Sequence, residues 1–190
     1  MADVQDNLNG RRTVYSFTNR KVSVSDLEIA FKAASNAPCH KQTHPWKYYV
    51  LGEETRQKML QTVISLARKK ALEKGEKDGY SSEKKAVSKI IDVPEVIAVT
   101  TKLSPNDSFR EQEDYAATVC SLHNLVLSLW DMGIGSQWST GGITRHPSTY
   151  RALEIESEKE RIVGFLKVGY PRSVPVKNKK KVSEIRKYLP

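Results

Sequence analysis

The chain has 190 residues, 38% of them hydrophobic and 28% charged, with a formal net charge of +9. That length carries one substantial core and is short for two, so a single domain over residues 1–190 is expected, neither disordered nor fibrous. No apolar run approaches the ~18 residues of a bilayer span and the polar, acidic residues 1–10 do not read as a signal peptide, so membrane and secreted classes drop out and a cytoplasmic location is expected.

The first informative segment is Arg11-Arg12-Thr13, four residues ahead of Phe17. Guanidinium groups offer planar forks of donors that match phosphate oxygens two at a time, and a neighbouring hydroxyl adds a third. Alone, such a pair is most often solvated surface. A helix follows over 26–36, capped by Ser25 or Ser23, with Glu28 placed to complete a capping box from Ser25. Leu27, Ala30, Phe31 and Ala34 fall on one face of it, and Pro38 stops it.

Residues 37–45 form a polar loop in which Cys39 and His40 are adjacent. Neighbouring side chains seldom aim at each other and no orienting carboxylate is near in sequence, so a catalytic dyad is not supported. Residues 46–51 have the aromatic and β-branched character of a strand, ended by Gly52. A helix is expected over 53–74 with Met59, Leu60, Val63, Ile64 and Ala67 inward, then a loop over 74–82 and a second helix to about Ile90. Ten basic residues against four acidic ones lie in 56–89, with Tyr80 the only aromatic among them, so no stacking platform for nucleic acid is present. A solvated helix face explains the run best, attraction of an anionic cofactor or substrate comes second, and nucleic-acid binding third.

Pro94 introduces a strand over 96–101, and Ser104-Pro105-Asn106-Asp107 reads as a turn. The most apolar helix spans about 113–132, with apolar residues around nearly its whole circumference. Such a helix is buried on several faces, in a core or against a partner chain. Within it His123 reads as a core histidine, and Glu113 and Asp114 sit where carboxylates favour the helix dipole. Residues 132–142 hold four glycines, two serine hydroxyls and a threonine, which lets the backbone approach a planar ligand closely. The segment is neither a GxGxxG after a strand nor a GxxxxGK[ST], and an ordinary glycine cap is the competing reading. A strand over 162–168 closes on Gly169-Tyr170-Pro171, and a basic tail ends the chain with seven basic residues against one acidic from Arg172 on. Cys39 and Cys120 lack CxxC spacing and read as free thiols; no metal site is visible.

Four of these features in order resemble the nitroreductase family of flavoproteins: Arg11-Arg12-Thr13 with Phe17, the loop from Ala37-Pro38 to Pro45-Trp46, the Gly133-Ile134-Gly135-Ser136 turn running into Trp138-Ser139-Thr140-Gly141, and Val168-Gly169-Tyr170-Pro171. The short length and the Ala-Pro-x-His loop are most similar to the compact, minimal bacterial branch. The resemblance implies an α+β fold, a mostly antiparallel central sheet flanked by helices with the long helix at a dimer interface. It implies an FMN-dependent oxidoreductase acting as a homodimer with two flavins between the subunits. Electrons would pass from NADH or NADPH through flavin N5 to nitroaromatic, quinone or activated-alkene acceptors by a ping-pong mechanism, with no catalytic side chain required. By position, Arg11, Arg12 and Thr13 would hold the ribityl phosphate and the ring edge, with Arg172 as a second phosphate arginine. Asn36, His40 and Gln42 would contribute from the neighbouring loop. Trp138, Ser139 and Thr140 would line the flavin, and Gly133, Ile134, Gly135, Ser136 and Gln137 would lie near the nicotinamide. Many relatives carry a basic residue where Tyr15 stands. Two other readings stay open: a basic nucleic-acid-binding module, and an FMN-binding sensor or storage protein with little turnover.

Overall fold

Helical and strand-like segments alternate along the chain, and in the computed structural model, which describes residues 3–76 and 79–190, they resolve into helices flanking one sheet. In chain order these are α1 (Val4–Gly10), α2 (Val24–Ser35), β1 (Trp46–Val50), α3 (Glu53–Glu73), α4 (Tyr80–Ile91), β2 (Glu95–Lys102), α5 (Ser108–Asp131), β3 (Gly135–Ser139), α6 (Pro147–Leu153) and β4 (Glu160–Gly169). The sheet order is β1-β2-β4-β3, and every neighbouring pair is antiparallel. Tyr48 pairs with Val99, Ala98 with Phe165, and Gln137 with Lys167. The expected α+β class with an antiparallel sheet between helices is what the chain forms.

Central strands β2 and β4 are buried on both faces, which is why their sequences read as near-continuous apolar runs. On one face Ile97, Val99, Leu166 and Val168 pack against Leu27 and Ala30 of α2 and Leu122, Leu125 and Leu129 of α5. On the other, Val96, Ala98 and Phe165 meet Met59 of α3 and Leu153 of α6. Each fully buried aliphatic or aromatic side chain contributes about 2 kcal/mol by leaving water. A bulge opposite Val99/Thr100 shifts the register, so Ile162 joins the same cluster as Phe165 despite the odd spacing.

Local signals placed most elements and misplaced some ends. Ser23, not Ser25, caps α2, accepting from the Asp26 amide at 3.0 Å. Helix α5 begins at Ser108, five residues before the expected start, because Asp107 caps it by accepting from the Arg110 amide at 2.9 Å. The outward-facing first turn has no apolar periodicity to announce it. Helix α4 takes in Ser81 and Ser82, which the sequence assigned to a loop; Lys77 and Asp78 of that loop lie outside the described residues. Helices α1 and α6, seven residues each, are too short for a periodic signal. The largest correction concerns 133–142: what read as a glycine-rich turn contains strand β3, because its ladder partner β4 lies some 30 residues downstream and no local pattern encodes that pairing.

Arg56 of α3 is buried, which no sequence pattern suggested. Its guanidinium donates to the carbonyls of Leu51 at 2.9 Å, Val93 at 2.6 Å and Pro94 at 3.0 Å, joining α3 to the end of β1 and the entry to β2. Burial lowers its pKa despite Glu95 at 3.7 Å.

Candidate functional site

After α1 the chain runs extended along the end of the sheet. Thr13 bridges Ser136 of β3, and the Val14 amide donates to the Ser136 carbonyl at 2.9 Å. Four residues on, Phe17 pairs with Pro171, the Thr18 amide donates to the Tyr170 carbonyl at 2.8 Å, and the Arg172 amide donates to the Ser16 carbonyl at 2.9 Å. Val14 is fully buried in this seam. The seam needs glycine at 135, where a Cβ would stand 2.5 Å from Val14 Cγ2. The structure therefore brings the arginine–threonine segment onto β3, two features more than 120 residues apart.

Arg11 and Arg12 are half-buried at this seam. One Arg12 nitrogen donates to the carbonyls of Asn9 at 2.7 Å and Arg11 at 2.9 Å, which leaves the rest of its fork clear of α1. Arg172 donates to the Phe17 carbonyl at 3.4 Å. Among the described residues none of these three arginines is ion-paired with a carboxylate. Three uncompensated guanidinium groups along one extended seam form a region of positive potential suited to an anion. Tyr15, on the same segment, is 64% exposed.

Along β3 the candidate residues divide by burial. Ile134 lies in the core, and Gly135 and Ser136 are buried, while Gly133 and Gln137 keep open surface. Trp138 is 41% exposed and lies over Gly164, where a Cβ would fall 2.1 Å from its indole Nε1. Ser139 donates to the Phe165 carbonyl at 3.1 Å, and Thr140 faces solvent. Trp138 and Ser139 thus lie on opposite faces of β3, Trp138 with Leu166 on the α5 face and Ser139 with Gln137 on the face of Phe165 and Lys167.

The loop between α2 and β1 is the most strained part of the backbone. Lys41, Gln42 and His44 all have positive φ (52°, 56° and 42°) although none is glycine. Thr43 anchors the loop by donating to the Asp114 carboxylate at 2.7 Å, and Arg110 donates to the His40 carbonyl at 3.5 Å. Asp114 is thus a buried anchor rather than a dipole charge at a helix start. Cys39 Sγ lies 3.8 Å from His44 Nδ1, so its nearest imidazole is not that of His40. Asn36 turns back on α2, donating to the Lys32 carbonyl at 2.7 Å.

Helix α5 serves as a ruler for these parts. The loop holding His40 and Gln42 is tied near Asp114, whereas Asn7 of α1 donates to the Leu127 carbonyl at 3.1 Å. Thirteen residues at 1.5 Å each put these anchor points about 20 Å apart along one chain. Helix α1, which leads into the arginine seam, and the strained loop are thus tied to α5 at well separated points, with Arg11 nearer His123. Between them Ala116, Val119, Cys120, His123, Leu127 and Trp130 stay wholly or partly open on one stripe. His123, expected in the core, lies exposed on this stripe because the buried face of α5 is Leu122, Leu125 and Leu129. Partial desolvation, then the Arg11 charge, lowers its pKa.

Lys167 is the charged residue that sequence reasoning passed over. It lies within the apolar run of β4, 6% exposed, donating to Gln137 Oε1 at 3.5 Å, and burial pushes its pKa down to about 8. A lone cation in the otherwise apolar run 162–168 was the available signal. Among the described residues no cluster of His, Cys, Asp and Glu could hold a metal ion, and no helix is long and apolar enough to cross a membrane.

Residues 8–170 match the model of the nitroreductase family. The chain is 26% identical over 172 residues to a Bacillus subtilis (strain 168) protein named "Putative NAD(P)H nitroreductase YfhC", covering 90% of this chain and 86% of that one. Its fold is similar to the nitroreductase-like family protein from Bacillus cereus (TM-score 0.82, 26% identity, 100% of this chain and 97% of that one). It is also similar to a Desulfovibrio desulfuricans structure described as "a putative nitroreductase in complex with fmn" (TM-score 0.76, 15% identity, 100% of this chain and 98% of that one).

Proposed function

The chain belongs to the nitroreductase family, and from that premise we propose that it is an FMN-dependent oxidoreductase, using NADH or NADPH to reduce nitroaromatic, quinone or activated-alkene acceptors. The observation that carries this reading is the seam of Arg11, Arg12 and Thr13 docked on β3 without carboxylate partners. FMN, when bound, would supply the redox chemistry between nicotinamide and acceptor. Everything else falls to the chain.

Arg11 and Arg12 grip the phosphate and the electron-rich edge of the ring, with Thr13 adding a hydroxyl and Arg172 a further cation at the far end of the seam. Trp138, Ser139 and Thr140 would line the flavin. Of the residues expected near the nicotinamide, Gly133 and Gln137 have open surface and would border it, whereas Gly135 and Ser136 are buried and Ile134 lies in the core. With Tyr15 where a base often stands, Arg12 would be the residue to supply positive charge to the ring edge. Solvent protonates the product, which fits a site with no acid–base dyad.

Asn36, His40 and Gln42 complete the site from a second copy of the chain. The midpoint between the two anchor points on α5 falls at Cys120–Ser121, where Cys120 lies on the open stripe and Ser121 faces the core. Pairing α5 with its two-fold mate about that point sets the strained loop of one subunit opposite the arginine seam of the other. This supports a homodimer with two shared flavin sites.

The protein is expected to purify yellow and to bleach with NADH or NADPH. Arg11→Ala is expected to lose at least about ten-fold in FMN affinity while keeping its circular dichroism, since a charge-assisted bond contributes roughly 1.5–3 kcal/mol. Full flavin retention in this folded variant would refute the phosphate assignment. A colourless protein that refuses FMN yet binds DNA with a steep salt dependence would instead establish the nucleic-acid reading, and flavin never reduced by either nucleotide would favour the sensor reading.

A further inference from the structure

On the sheet face opposite α5, the space enclosed by α3, α4, β3 and the 142–144 turn is a cavity of about 730 Å³, within the size range of small-molecule sites. Its floor is apolar: Val63, Leu66, Ala86, Ile90, Ile143 and Phe165. Its charge is strongly one-sided. Lys69, Lys70 and Lys74 from α3 and its cap, Lys85 and Lys89 from α4, and Lys167 from β4 line it, against Glu73 and Glu76. Six cations against two carboxylates give a net +4 among the described residues.

We propose that this cavity binds a small organic anion with an apolar body, its charged end on Lys167 and Lys89 and its body along the floor between α3 and α4. Lys167 carries the argument. It is 94% buried by the complement of its 6% exposure, it has no carboxylate partner, and its single hydrogen bond is to a neutral amide at 3.5 Å. A buried ammonium in that state is costly unless something negative compensates it. The rim lysines raise the local concentration of anions, and the apolar floor selects one with a hydrophobic body over a bare inorganic ion. Burial first, and then the charge of Lys89, depress the pKa of Lys167 to about 8. The ammonium is therefore present below that pH, and anion affinity should fall as pH rises through it. Glu73 and Glu76 at and just beyond the end of α3, Lys69, Lys70 and Lys74 on α3 and its cap, and Lys85 and Lys89 on α4 are the other charged groups facing this space.

The cavity meets the proposed flavin and nicotinamide strip at Gln137, Ser139 and Thr140, and the inference stands whether or not FMN binds. The test is isothermal titration calorimetry of the full chain with anilinonaphthalene sulfonate, an anion with an aromatic body, with flavin content followed separately by visible absorbance. Saturable binding is expected, displaced by octanoate and not by inorganic phosphate at equal concentration. Lys167→Met should weaken it by about ten-fold or more, as the loss of a charge-assisted contact requires, and Lys89→Gln by several-fold. Lys89 lies on α4 outside the core, so the second variant decides the matter if the first perturbs folding. Unchanged affinity in both variants would overturn the proposal. Displacement by phosphate as readily as by octanoate would overturn the requirement for an apolar body.

Discussion

Single residues in this protein are informative where their chemistry conflicts with their surroundings. Lys167 is the sharpest case, an ammonium in a strand buried on both faces. Its folded-state pKa, about 8, lies below the ordinary 10.5, so between those values the unfolded chain binds more protons than the native one. Stability from this group therefore rises with pH across that window, and the penalty is full below pH 8. A shift of that size corresponds to roughly 3 kcal/mol. Lys167→Met, which removes the charge at similar volume, is expected to raise the melting temperature at pH 7 by several degrees, an advantage that shrinks toward pH 10. Thermal unfolding of both proteins across pH checks this; an advantage constant with pH would mean that the lysine is already compensated. Gly135 shows the opposite kind of conflict, an absent side chain required by Val14. Its role was invisible locally because Val14 approaches from 121 positions away.

Among the secondary-structure elements, α3 and α5 do the most positioning. Helix α3 is held to the sheet by Arg56, whose guanidinium satisfies carbonyls at the end of β1 and at the start of β2. Arg56→Met strands those carbonyls without donors in a buried place. A loss of roughly 3 kcal/mol is expected, on the order of 10 °C in melting temperature. Chemical denaturation with an unchanged m-value would locate the effect in native stability. Because α3 also walls the lysine-lined cavity, the same variant should loosen that site, whereas the arginine seam on the other side of β3 should be spared. Helix α5 was legible as the most apolar helix, and its length was underestimated because residues 108–112, four of them polar and the fifth an exposed Phe109, follow the Asp107 cap without periodicity. Its composition could not tell which apolar residues meet the sheet and which meet a partner. Burial separates them, with Leu122, Leu125 and Leu129 inward and Val119, Cys120 and His123 outward.

For the molecule as a whole, the proposed dimer follows from distance. The strained loop and α1, which leads into the arginine seam, are anchored about 20 Å apart on α5, which supports a site drawn from two chains. A dimer at micromolar concentration is expected by light scattering. Val119→Glu, placing a carboxylate in the middle of the open stripe, should shift it to monomer and lower flavin retention together, because burying an unpaired charge costs several kcal/mol. A monomer that holds flavin as tightly as the parent would refute the shared site. The sequence by itself determined the helices and strands of strong periodicity, the family, and the identity of the arginine, Trp-Ser-Thr and loop segments, since these depend on residue type and spacing that neighbours along the chain already express. Only the tertiary structure decided that residues 135–139 form an edge strand, that Thr13 lies on Ser136, that His123 faces outward and that Lys167 is buried beside a cavity. The reason is physical: each depends on a partner dozens of residues distant, and contact across such separations is set by how two faces of one sheet are covered.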